Sequence, residues 1–144
     1  LHFGRLKGLR EELARLALPP IAVFQADATR PTPLRDRPRT ILLDVPCSGL
    51  GVLNRRPDSK WRRTPGDCQQ LIHTQDRLLD MAVDTVAHGG TILYLTCTLA
   101  LRENEERIHA CLHRHPSLRC ERHWGTPREA LHGEFFWGAV LRRQ

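Results

Sequence analysis

The stretch ILLDVPCSGLG, Ile41 to Gly51, decides how the rest of the chain is read. An apolar run of strand length reaches an acid, Asp44, and then meets Pro46, Cys47, Gly49 and Gly51. That order predicts a buried strand emerging into a tight turn that carries a thiol. A second stretch, TILYLTCTL from Thr91 to Leu99, ends another β-type run on Cys97. Two strand-end thiols admit four readings: reactive groups, a metal site, a disulfide, or two small packing residues.

Outward from these strands, a helix is predicted from about Asp67, burying Leu71, Leu78, Ala82 and Val86 and stopping at Gly89-Gly90. Upstream, Leu6, Leu9, Leu13 and Leu16 give one apolar helical face ahead of Pro19-Pro20, and IAVFQAD reads as a short strand reaching Asp27. Downstream, Glu103, Glu105 and Glu106 sit near a helix start, where they complement the positive end of the dipole. LRCERHW and EFFWGAVLRR read as two closing strands. Strands alternating with helices indicate an α/β fold with a mostly parallel sheet and an antiparallel carboxyl-terminal edge. Ligands of such sheets bind beyond the carboxyl ends of the strands. Asp27, Asp44, Cys47 and Cys97 all fall there, so one shared pocket is expected.

The chain has 144 residues, suiting one domain, and carries a formal net charge of +6 with arginine in excess of lysine. Arginine binds phosphate bidentately and stacks on bases, which favours a polyanionic partner over a charge that serves solubility alone. Five cysteines without framework spacing argue against a secreted disulfide scaffold. The residues given hold no basic-then-apolar leader, and the uncharged stretch Thr85–Leu101 is short of the ~20 apolar residues of a membrane helix. The expectation is a soluble, cytoplasmic protein.

Metal is disfavoured: successive cysteines lie 21, 29, 14 and 9 residues apart, without a Cys-x-x-Cys pair. CLHRH offers Cys111, His113 and His115, but alternate helical residues point to different sides. Cys68, Cys111 and Cys120 read as packing residues. Around Cys47 and Cys97 the context is different. Pro46 and Gly49 stiffen one turn, and Thr96 and Thr98 surround the other thiol with hydroxyls. A thiol serves chemistry only as a thiolate in an accessible, electropositive place, which the following basic loop supplies. In that loop, NRRPDSKWRR, the cations Arg55, Arg56, Lys60, Arg62 and Arg63 suit phosphates. Trp61 either stacks on a base or tucks onto the core, whereas Trp124 and Trp137 read as core or edge residues. Asp44 caps its turn or faces a ligand.

LLDVPCSGLGV and YLTCTL, with NRRPDSKWRR between them and RENEERI after, resemble the RNA 5-methylcytosine methyltransferases of the Sun (Fmu/RsmB) type. The resemblance runs through nearly the whole chain, including the closing GEFFWGAVLRR. It implies a Rossmann-like class I methyltransferase sheet, S-adenosylmethionine as cofactor and RNA, above all ribosomal RNA, as partner. It also implies Cys97 as nucleophile, Cys47 as the group that resolves the covalent adduct, and Asp27, Asp44 and Pro46 at the cofactor, with Asp44 also near the target base. The glycine-rich loop of that family and its first two strands have no counterpart here. The chain is therefore expected to be the carboxyl-terminal part of a methyltransferase domain, inactive by itself. Two rival readings stand: a DNA-type cytosine methyltransferase with Cys47 as nucleophile, and a non-catalytic basic RNA-binding fragment.

Overall fold

The computed structural model describes residues 3–19, 21–62, 64–127 and 133–144. Helix α1 spans Phe3–Arg15. Strand β1 is Thr40–Asp44, followed by a 3-10 turn at Leu50–Val52 and a short helix α2, Ser59–Arg62. Helix α3, Pro65–Thr85, leads to strand β2, Thr91–Thr96. A second 3-10 turn, Leu101–Glu103, precedes helix α4, Glu105–Arg114, and strands β3, Leu118–Gly125, and β4, Trp137–Arg143, close the chain.

The four strands form one mixed sheet in the order β1-β2-β4-β3. β1 and β2 run parallel, with Asp44 level with Leu95, and β4 lies antiparallel to both β2 and β3. The expected antiparallel edge is thus built from both closing strands, next to the parallel pair that ends on the two cysteines.

β2 sits between β1 and β4 and alternates strictly, with Ile92, Tyr94 and Thr96 buried. Ile92 and Tyr94 pack under Leu78, Leu79, Ala82 and Val83 of α3 and Ile108 and Cys111 of α4, and Ile41 and Leu43 of β1 join them. Leu42, between those two on the opposite face, is exposed. Period-2 alternation therefore gives the sheet a face covered by two helices. α3 starts two residues before the expected position because Thr64 and Asp67 form a capping box, with Pro65 at the first helical position. It ends at Thr85, short of the glycine pair, since Val86 turns extended and fills the core.

One predicted strand does not form. Residues 21–27 are irregular, with Ile21 and Phe24 exposed, and the Val23 carbonyl accepts from Arg10 of α1. A strand needs a neighbour for its backbone groups, and no described strand lies beside this one. Among the described residues no helix is long and apolar enough to cross a membrane.

Candidate active site at the paired cysteines

The parallel register of β1 and β2 brings two turns, fifty residues apart in sequence, side by side, so that the Cys47 and Cys97 sulfurs lie 3.2 Å apart. Both thiols are half-buried, and neither forms a disulfide. Gly49 turns the chain after Cys47 with φ of 73°, a left-handed conformation that glycine adopts without steric cost. Gly51 then passes between two backbone carbonyls: its N–H donates to Cys97 O at 2.9 Å, and its own carbonyl accepts from Phe135 N at 2.6 Å. A Cβ at that position would stand 2.3 Å from Phe135 O and 2.8 Å from Cys97 O, so the close approach requires glycine.

The two sulfurs share their protons unequally. The two thiols share a hydrogen bond, and the Cys97 and Gly49 amides point at the Cys47 sulfur; together these lower the Cys47 thiol to about 7 against burial and the nearby Glu103 carboxylate. Cys97 is pushed far up, first by its hydrogen bond to Cys47, then by burial and by the charges of Cys47 and Asp44. Two thiolates at this distance would repel strongly, so at most one of the pair ionises, and the two amides that point at Cys47 favour that sulfur as the one that does.

Beneath the pair runs a buried polar network that the sequence reading missed. Ser48 N donates to Glu103 Oε2 and Gln75 Nε2 donates to the same oxygen, each at 2.9 Å. Gln75 also donates to Pro46 O at 2.9 Å, while the Ser48 and Thr98 hydroxyls meet at 2.7 Å. Thr96 Oγ1 donates to Asn104 Oδ1 at 2.6 Å, and Asn104 Nδ2 to Thr98 O at 2.9 Å. The hydroxyls expected around Cys97 are there, but they face this network. Glu103 corrects the dipole reading: it lies in the 3-10 turn ahead of α4 and is buried, whereas Glu105 and Glu106 occupy the first helical turn as expected. No local signal marked it: Glu103 stands twelve residues beyond the start of β2 at Thr91, beside the other acids of the same stretch.

Asp44 and Pro46 stand exposed at the carboxyl end of β1, beside the cysteines. Asp27 is engaged locally. Its Oδ1 accepts from the amide and hydroxyl of Thr29, its Oδ2 faces Arg30 at 3.5 Å, and none of its hydrogen bonds or ion pairs reaches Asp44 or the thiols. Of the four residues expected at one pocket, Asp44, Cys47 and Cys97 meet at the ends of β1 and β2, while Asp27 ends a segment that joins no described strand.

In the basic loop, Arg55 pairs with Glu134, Arg56 is exposed, and Lys60 lies 5.4 Å from the Trp61 ring centroid. Trp61 is 83% exposed, which removes the core reading for it. The Arg62 side chain and Arg63 lie outside the described residues. Trp137 is core and Trp124 is an edge residue, as expected. Cys111 and His115 do reach one side of α4, because they are four residues apart, and Asp80 joins them within 4.8 Å. Asp80 is occupied there by Arg114 at 2.9 Å and His115 at 2.7 Å, so a cation would have to displace a guanidinium.

A family model described as 16S rRNA methyltransferase RsmB/F matches residues 2–135. The probable ribosomal RNA small subunit methyltransferase B of Synechocystis sp. is 41% identical over 133 residues, covering 88% of this chain and 29% of that protein. Its Bacillus subtilis counterpart is 37% identical over 120 residues, covering 82% and 27%. Among solved structures, NSun6 from Pyrococcus horikoshii with SFG aligns at a TM-score of 0.82 and 26% identity, over 99% of this chain and 39% of that one. The chain thus spans under a third of the length of the two curated relatives. Its matched residues take in both cysteine turns and the network that joins them, and on that match the chain belongs to the RsmB/F family of 16S rRNA methyltransferases.

Proposed function

We propose that the protein containing this chain methylates carbon 5 of a cytosine in RNA, ribosomal RNA by kinship, using S-adenosylmethionine, and that residues 1–144 are part of its catalytic domain. The observation that carries this reading is the 3.2 Å approach of Cys47 and Cys97 at the carboxyl ends of neighbouring parallel strands.

Carbon 5 of cytosine is too weak a nucleophile to take a methyl group unaided, and a thiolate added at carbon 6 makes it one. Cys47 takes the Cys97 proton, sulfur to sulfur, and the Cys97 thiolate forms the bond to carbon 6. The displaced π electrons move into the ring, where a proton taken from solvent and bridged to Asp44 stabilises them until carbon 5 takes the methyl group and that proton returns to solvent. S-adenosylmethionine, when bound, supplies the electrophilic methyl group. Cys47 meanwhile loses its proton to solvent and then accepts the one on carbon 5. The electrons of that C–H bond restore the ring double bond as the Cys97–carbon 6 bond breaks.

The exposed Asp44 and Pro46 fit a ligand at a strand end. Asp27, its carboxylate held by Thr29 and Arg30, is the further acid that the resemblance places at the cofactor. SFG in the similar NSun6 structure supports a cofactor of this class. Arg55, Arg56, Lys60, Arg62 and Arg63 would hold phosphates, and exposed Trp61 offers a stacking face.

In the full-length protein, Cys97→Ala should abolish both methyl transfer and the covalent RNA adduct. Cys47→Ala should form the adduct and release it slowly, leaving a persistent protein–RNA band on denaturing gels. The depressed thiol of Cys47 favours one other reading, the DNA-type assignment with Cys47 as nucleophile. An adduct that survives Cys97→Ala and disappears in Cys47→Ala would establish it.

A further inference from the structure

Glu103 is 2% exposed, and among the described residues no lysine or arginine pairs with it. Burying a carboxylate among neutral donors is costly, so stability alone is a poor account of it. Its contacts give a better one. One oxygen, Oε2, takes the amide of Ser48 and the side chain of Gln75, each at 2.9 Å. The other, Oε1, lies 3.5 Å from the Thr98 hydroxyl. Ser48 directly follows Cys47 and Thr98 directly follows Cys97. The backbone of Glu103 is itself anchored, since its carbonyl accepts from the Tyr94 hydroxyl at 2.7 Å.

We propose that Glu103 is a positioning residue for methyl transfer: by bridging the residues that follow Cys47 and Cys97, it holds the two sulfurs at the separation that proton sharing requires. This rests on the reaction proposed above. Glu103 does not reach the thiols or the substrate, so its effect passes through the two turns. Among the described residues, the charged groups that act on the pair are Asp44 of β1 and Glu103 of the turn after β2, and from α3 the neutral Gln75 reaches the Pro46 carbonyl beside Cys47.

Reach and charge can be separated by substitution. Glu103→Asp keeps the charge and withdraws the carboxyl by roughly 1.5 Å, one carbon–carbon bond. Glu103→Gln keeps the reach, its oxygen toward Ser48 and Gln75 and its amide toward Thr98, and removes the charge. In the full-length protein, alkylation of Cys47 by iodoacetamide, followed by mass spectrometry across pH, should show a midpoint near about 7. In Glu103→Asp the midpoint should rise toward 9.0, the ordinary value. In the same variant kcat should fall by about tenfold or more with KM for RNA unchanged. Glu103→Gln should keep a midpoint at or below that of the wild type, because a negative neighbour of Cys47 is gone. Tyr94→Phe, which removes only the backbone anchor, should lower the melting temperature and leave the midpoint in place. Should Glu103→Asp not fold, Gln75→Ala carries the same expected rise. An unmoved midpoint in Glu103→Asp, or a Glu103→Gln variant as impaired as Glu103→Asp, would overturn the positioning role. The titration needs no RNA: a wild type without a covalent adduct would instead refute the reaction, and the two failures remain distinct.

Discussion

Replacing Gly51 with alanine tests the claim that the two turns are locked together through backbone, not only through side chains. The new Cβ would need about 3.4 Å of ordinary contact and has 2.3 Å to Phe135 O, a deficit of about 1.1 Å, with a further deficit of about 0.6 Å at Cys97 O, 2.8 Å away. Both obstacles are backbone carbonyls, which cannot rotate aside as a side chain would. Relief therefore means lengthening the Gly51–Cys97 bond, the Phe135–Gly51 bond, or both. Overpacking of this kind costs about 1–3 kcal/mol, and each lost hydrogen bond about 1 kcal/mol more. The expected loss is about 2–4 kcal/mol, a large fraction of the ~5–15 kcal/mol that holds a domain folded. Because one obstacle is the carbonyl of Cys97, its sulfur should move away from Cys47, and adduct formation should slow by about tenfold or more. Urea unfolding of the full-length variant gives the first number, and single-turnover trapping on RNA gives the second. A Gly51→Ala protein with an unchanged midpoint and an adduct rate within twofold of wild type would show that the two turns are not locked in this way.

Two further outcomes follow from the same geometry. Arg55→Ala with Arg56→Ala should flatten the salt dependence of RNA binding, each lost phosphate contact reducing the log–log slope by roughly 0.7 to 0.9; an unchanged slope would show that these side chains point away from RNA. Burial raises the Cys111 thiol to about 12, so Cys111 should resist alkylation in the folded protein at pH 9, where Cys47 reacts, and should become labelled only on unfolding. Labelling of Cys111 at the native rate of Cys47 would contradict its placement under the sheet.

The alternation of TILLD and TILYLT, the helical spacing between them and the strand-end cysteines were legible without coordinates, because each depends on neighbours within a few residues. Helix ends were legible to within two residues at Thr64 and four at Thr85, where a capping box and a core valine outweighed the glycine signal. The motif resemblance likewise picked out Cys47, Cys97 and Asp44 before their geometry was known. The strand predicted over residues 21–27 could not be judged locally, since a strand exists only where another strand completes its hydrogen bonds. The same holds for the site's support. Glu103 and Gln75 carry no local mark that separates them from the surface acids and amides of any helix, and their burial follows from packing α3 and the turn before α4 over β2. The thiol separation is likewise a product of register: sliding β1 by one residue along β2 would move Cys47 off Cys97 and turn every β1 side chain to the other face. Residue chemistry was written along the chain, while the proton shared between two sulfurs fifty residues apart exists only once the sheet has set them side by side.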